Sequence, residues 1–349
     1  MTAMIHILQK PAAISWLALL LIVFLTASVK AEDQRDWLPA LLEKEEITIV
    51  LTDSGLGGLS VVADAAKKFN HDPQYSRANL VFVNALFSDT AGYNALPTRE
   101  EKLAVFSSAL QAMQERYQPD IILVACNTLS VLAPDTEFAQ SSDTPVVGII
   151  EDGVEQIASQ LRADPSARNI LFATQGTVDD ATHASQLAQL GFGDERLVMQ
   201  ACPQLSLYIE QGFDSMYTEM LIDAYVDEAL SKAGDIDGPL SVSFNCTHFG
   251  YSLELWQRAF ASRSVEVAAY LDPNTQMVDF LLPESRQPRF DETTVTVKVV
   301  SMVDIPEDRH ASIGRYLQSV APVTATALGS FELDPGLFEW RSLTTAKLD

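Results

Sequence analysis

The apolar, β-rich run Ile121-Ile122-Leu123-Val124-Ala125 stops abruptly at Cys126-Asn127-Thr128, and this ending constrains the chain more than any other stretch. A second run, Leu240 to Asn245, ends in the same manner at Cys246-Thr247-His248. Each reads as a strand that delivers a thiol and small polar groups to its carboxyl end, the place where open α/β sheets hold their ligands. Two thiols delivered in this way suggest two bases.

The alternation continues on both sides of these runs. Ile47 to Leu51 predicts a strand that ends at Asp53-Ser54-Gly55-Leu56-Gly57-Gly58, after which Leu59 to Phe69 resume at helical spacing. Leu80 to Val83 is the next strand. A helix from about Thr98 to Tyr117 follows, with Thr98 and Glu101 at the spacing of a capping box. Pro145 to Ile150 closes the first series, and the pattern restarts at Asn169 to Ala173, which ends in Thr174-Gln175-Gly176-Thr177 before a helix carrying His183. Asp53 and Gln175 lie 122 residues apart (175 minus 53), and the two cysteines 120 apart (246 minus 126). Matched spacing suggests a duplicated unit, and so an α/β fold of two similar lobes, each with a mainly parallel sheet flanked by helices, related by a pseudo-twofold duplication. A chain of 349 residues is long enough for two domains. The expected division is a first lobe of residues 36–150 plus 268–349 and a second of 151–267, the tail returning through the strand Val295 to Val300 and a helix over Arg309 to Ser319.

The first residues are separate. Lys10 precedes an uncharged run from Ala12 to Val29, and Val29-Lys30-Ala31 then sets small residues at a peptidase-like cleavage point. Residues 1–31 are expected to be an export signal, or a membrane anchor if uncleaved. The mature protein is accordingly expected in the periplasm. Membrane contact is expected only through this segment.

A formal net charge of -24 and the lack of any Lys/Arg cluster exclude phosphate-backbone recognition, so nucleic acid is not an expected partner. There is no Cys-x-x-Cys and no dense His/Cys spacing, which argues against zinc or thioredoxin-like chemistry. Three cysteines in an oxidising compartment cannot all pair.

Single residues admit two readings each. The Gly55-to-Gly58 loop is an ordinary strand-to-helix turn or a cradle for a ligand. Cys126 is a small buried hydrophobe or, if a helix begins just after it, a thiol lowered below its ordinary value of about 8.5 by the helix N-terminus. Cys202, followed by Pro203, reads as structural. Glu210 alone is a solvated surface residue and His248 alone a structural histidine.

Taken jointly, Asp53-Ser54-Gly55-Leu56-Gly57-Gly58-Leu59-Ser60-Val61, Ala125-Cys126-Asn127-Thr128 and Cys246-Thr247-His248 resemble the aspartate/glutamate racemase superfamily, and most closely glutamate racemase. Lesser matches are Asp89-Thr90-Ala91, Thr174 to Thr177, and Ala201-Cys202-Pro203 leading to Glu210 and Gly212. The resemblance covers about residues 47 to 275. It implies an amino-acid racemase that inverts Cα with no cofactor, neither pyridoxal phosphate nor metal. Cys126 and Cys246 would work from opposite faces in an active site in the cleft between the lobes, with Asp53 assisting the first and His248 and Glu210 the second. It further implies substrate binding by Ser54, Asn94, Asn127, Thr128, Thr177 and Thr247, and a homodimer as the common assembly. The chain departs from the family where Asn94-Ala95-Leu96 replaces the usual Pro-Tyr-Gly, and where Phe249-Gly250 replaces Tyr-Pro. Glutamate is the favoured substrate, with aspartate or broader specificity as variants. The alternatives are a related isomerase of another small acid, or an exported small-carboxylate binding protein on the same scaffold.

Overall fold

The computed structural model describes residues 35–88 and 92–347. The expected export segment and the Asp89-Thr90-Ala91 match lie outside them. Residues up to Glu43 form a unit of their own, in which the described residues make one short helix, Leu38–Leu42, with Pro39 in its first turn. Among the described residues no helix is long and apolar enough to cross a membrane.

From Lys44 onward the chain forms two parallel sheets. The strands are β1 (Glu46–Asp53), β2 (Arg77–Asn84), β3 (Ile121–Val124), β4 (Val146–Gly148), β5 (Arg168–Ala173), β6 (Leu197–Ala201), β7 (Leu240–Asn245), β8 (Ala269–Leu271), β9 (Thr294–Ser301) and β10 (Glu332–Leu333). The first sheet has the order β10-β9-β2-β1-β3-β4 and the second β6-β5-β7-β8. Every registered pair is parallel. The order β2-β1-β3-β4 in one sheet and β6-β5-β7-β8 in the other is a single 2-1-3-4 pattern used twice, which accounts for the matched spacings in the sequence.

β9 extends the first sheet along the whole of β2, from Arg77 opposite Thr294 to Asn84 opposite Ser301. The Asn84 amide donates to the Ser301 hydroxyl at 3.1 Å at the end of that register. β8, by contrast, pairs with β7 in the second sheet, so residues 269–271 stand there although the sequence division gave everything from 268 to the first lobe. Three residues suffice for that edge pairing, which is too short to show as a period.

The apolar runs are strands because both of their faces are covered. All four residues of β3 are fully buried, the pattern of a central strand in a parallel sheet with helices on each side. In the second lobe Trp256 packs against Phe172 at 4.5 Å and Phe244 at 5.3 Å between ring centroids, and its indole donates to the Phe249 carbonyl. Burying side chains of this kind stabilises by about 1.5–3 kcal/mol each. The expected helix after Pro97 is present as Arg99–Tyr117, and the Thr98 hydroxyl accepts from the Glu101 amide at 3.2 Å.

Candidate active site

β1 ends at Asp53, and the glycine-rich turn that follows brings the backbone under the other lobe. A Cβ on Gly57 would run into the Thr247 hydroxyl and stand 2.6 Å from His248 Nδ1; one on Gly55 would stand 3.0 Å from Glu210 Oε1. These two glycines therefore make room for side chains of the second lobe. The Leu56 amide, at the turn, donates to Glu210 Oε1 at 2.9 Å. A carboxylate of the protein itself uses the amide that the sequence offered to a ligand.

Cys126 follows β3 and precedes the helix Asn127–Leu132. Its sulfur lies 3.2 Å from the Ser54 hydroxyl. Burial, reinforced by the Asp53 carboxylate, pushes the thiol up to about 12, and the hydrogen bonds from Ser54 and the Leu129 amide offset only part of this. The lowering expected from the helix terminus thus does not prevail. The helix has only six residues, and the thiol is 7% exposed. Burial also raises Asp53 to about 6, against the opposing effects of His248 and of the Thr247 hydroxyl, which donates to Asp53 Oδ2 at 2.8 Å.

Cys246 follows β7 and lies 3.7 Å from His248 Nδ1. His248 Nε2 in turn lies 2.7 Å from Glu210 Oε1, and Arg309 Nη1 donates to Glu210 Oε2 at 3.3 Å. Burial opposes a charged imidazole, but the hydrogen bonds to Cys246 and Glu210 outweigh it and hold His248 well above the usual histidine range. Burial likewise raises Glu210, and the hydrogen bond and charge of His248, the Leu56 amide and Arg309 more than reverse it. The pair is an imidazolium and a carboxylate.

Cys126, Asn127 and Thr128 from the first lobe and Asn245, Cys246 and Thr247 from the second face one cavity of about 370 Å³. Asp53, Ser54 and Asn94 line it from one side, and Thr177, Glu210 and His248 from the other. All eleven site residues expected from the sequence are thereby brought together. Both amide atoms of Asn127, and both of Asn245, are buried without a partner. The hydroxyls of Thr128, Thr174 and Thr177 lie within 3.4 Å of one another. Such groups, which can both donate and accept, can hold a carboxylate through their N–H and O–H and an ammonium group through their oxygens. Asn245, Thr174 and Arg309 were not expected. Asn245 could be found as the one amide in the run before Cys246, whereas nothing in the sequence near Arg309 marks it. Cys126, Cys202 and Cys246 are all free thiols. Cys202 is buried and does not line the cavity, as a structural residue would be.

The fold is the two-lobed α/β fold of solved glutamate racemases. That from Campylobacter jejuni superposes with a TM-score of 0.58 at 19% identity, over 78% of this chain and 98% of that one. That from Francisella tularensis, solved with D-glutamate, gives 0.59 at 18% identity over 85% and 99%. No protein-family model matches the chain. In sequence it is 26% identical over 204 residues to the glutamate racemase of Persephonella marina, 58% of this chain and 71% of that enzyme. It is 27% identical over 199 residues to that of a Nitratiruptor species, 56% and 70%. These likenesses are to glutamate racemases: the solved structures share the fold, and the sequence relatives share 26–27% identity over about 200 residues.

Proposed function

We propose that the protein is a cofactor-independent amino-acid racemase acting on glutamate, with Cys126 and Cys246 as its two proton-transfer groups. The observation that carries this reading is that two free thiols, reached from the equivalent third strand of two like-ordered sheets, line a single cavity. One sulfur, as thiolate, takes the Cα proton: the Cα–H bond breaks, an S–H bond forms, and the electron pair delocalises into the substrate carboxylate. The opposite thiol then gives its proton to the other face of Cα. One thiol and one thiolate have exchanged places, so the reverse reaction uses the same two groups in swapped roles.

Asp53 and the His248–Glu210 pair serve as the local groups through which each sulfur gains and loses its proton. The unpartnered amides of Asn127 and Asn245 and the hydroxyls of Thr128, Thr177 and Ser54 meet the charge that develops on the substrate carboxylate, fixed in advance by the fold, while Thr247 gives its one proton to Asp53. Glutamate is favoured because the relatives are glutamate racemases. The test is Cα deuterium exchange and inversion in heavy water under reducing conditions, with L- and D-glutamate and aspartate. Loss of inversion in both Cys126→Ser and Cys246→Ser supports the reading; inversion that survives either substitution overturns the two-thiol assignment. The free state of both thiols weighs against a binding protein whose cavity is sealed by a disulfide.

Export to the periplasm is proposed on the apolar run from Ala12 to Val29, and N-terminal sequencing of the protein recovered from periplasmic extracts tests it. A homodimer is the assembly proposed by resemblance, and light scattering decides it.

A further inference from the structure

Resting on the two-thiol reading, we propose that Arg309 is a positioning residue for Cys246, acting through Glu210 and His248. Four side chains form one line: Arg309 Nη1 to Glu210 Oε2 at 3.3 Å, Glu210 Oε1 to His248 Nε2 at 2.7 Å, and His248 Nδ1 to Cys246 Sγ at 3.7 Å, with the Leu56 amide as a further donor to Oε1. Each carboxylate oxygen of Glu210 thus has its own cation, which fixes the plane of the carboxylate and aims Oε1 at the imidazole. Among the described residues Cys126 has no chain ending in a cation; its sulfur meets the Ser54 hydroxyl at 3.2 Å and feels the Asp53 carboxylate.

The fold builds this contact deliberately. Arg309 stands in the first turns of the helix Glu307–Val320, which follows β9 of the first sheet. That helix is tied to the second lobe beside Glu210. Arg315 makes a two-pronged ion pair with Asp214 at 2.9 and 2.7 Å, the Phe213 amide donates to the Ser312 hydroxyl, and the Tyr316 ring meets Tyr251 edge-on at 4.6 Å. Tyr251 in turn donates from its hydroxyl to the carbonyls of Leu56 and Gly57. The helix that carries Arg309 is thus held against the second lobe, while the guanidinium itself meets Glu210 through Nη1 and its Nε is buried without a partner.

Charge gives the contact a consequence. Arg309 is the only lysine or arginine among the described residues lining the cavity. The charged and titratable groups around Cys246 are His248, Glu210 and Arg309 in the chain, Asp53 through Thr247, and Cys202. With imidazolium and carboxylate in balance, the guanidinium leaves the chain with one net positive charge beside the sulfur. Removing it leaves none. A full unit of positive charge lost from the cavity wall weakens the attraction for negative charge developing on the sulfur and slows its alkylation about three- to tenfold when only partly screened.

The experiment compares the rates at which iodoacetamide alkylates Cys246 and Cys126 in the same molecule, followed by peptide mass spectrometry from pH 6 to pH 9. In Arg309→Gln the Cys246 rate at pH 7 falls about three- to tenfold relative to Cys126. Arg309→Lys stays within about twofold of wild type, because it keeps the charge. Arg309→Met, which refills the space of the aliphatic stem, gives the same loss and replaces the glutamine variant should that fail to fold. An unchanged ratio in Arg309→Gln, or equal slowing of both thiols, overturns the proposal, as does a rise in KM alone with the labelling ratio intact. Because alkylation needs no turnover, absence of Cα exchange in the wild-type protein would sink the racemase reading and still leave the role of Arg309 decided by the ratio.

Discussion

The Thr247 hydroxyl donates to Asp53 Oδ2 at 2.8 Å, so a residue placed by β7 of one sheet satisfies a carboxylate placed by β1 of the other. This bond crosses the cleft beside both thiols. It also bears on the cost of keeping Asp53 where it is.

Asp53 is raised to about 6 by burial, so its folded value lies above its unfolded one near 3.8. Between about pH 4 and pH 6 the native state binds more protons than the unfolded chain, and stability falls as pH rises through that window. Above it the ionised group costs up to about 3 kcal/mol. Asp53→Asn, which can still accept from Thr247, is expected to raise the melting temperature at pH 7.5, to leave it unchanged at pH 4, and to lose most activity. Calorimetry at the two pH values checks the sign.

The His248–Glu210 pair runs the other way. His248 is raised, so its contribution is complete below about pH 6.5 and is lost as pH rises through its folded value. Glu210→Gln leaves the imidazolium buried without its counter-charge and costs about 3–5 kcal/mol at pH 6. Urea unfolding should show this deficit shrinking toward alkaline pH.

Gly57→Ala drives a methyl group into Thr247 and His248, whereas Gly314 has no atom within 4 Å of the position its Cβ would take. The first substitution is expected to cost about 1–3 kcal/mol and to abolish activity by moving His248. The second, inside the helix Glu307–Val320, is expected to add about 0.5–1 kcal/mol. Thermal melts of the two variants side by side separate the close approach from ordinary glycine effects.

Trp256→Ala opens a cavity among Phe172, Phe244 and Phe249, with an expected cost of about 3–5 kcal/mol. Since Phe244 precedes Cys246 by two residues and Phe249 follows His248, labelling of Cys246 should become faster and less selective while Cys126 is unchanged.

The sequence carried the alternation of strands and helices because a parallel sheet covered on both faces needs unbroken apolar strands, as at Ile121–Val124. It carried most of the expected site residues because they sit at strand ends or beside helix starts, positions that punctuation marks, whereas Glu210, near the C-terminal end of the helix Leu205–Gln211, and Asn94 were expected through the resemblance alone. Arg309 escaped because its role depends on a tail helix lying against Leu205–Gln211, a contact between segments about a hundred residues apart. The state of Cys126 was left open between two readings for a related reason: local rules give the helix terminus, but burial and Asp53 are properties of the assembled cleft. The glycines of the Asp53 loop were legible as close approach, yet the approaching group turned out to be Thr247 and His248. The helix Met216–Ala233 has no clear period in sequence, since Met216, Tyr217 and Met220 stay exposed in its first turns.

The late position of β9 and Arg309 sets an order on biosynthesis. By the time Cys246 leaves the ribosome, both thiols exist, but the strand that flanks β2 and the guanidinium that completes the Glu210 chain are still unmade. A nascent chain at that stage has its reactive sulfurs in an unfinished cleft. The segment from β9 onward therefore acts as a late assembly step, so that competence waits for the helix that carries Arg309 rather than growing gradually along the chain.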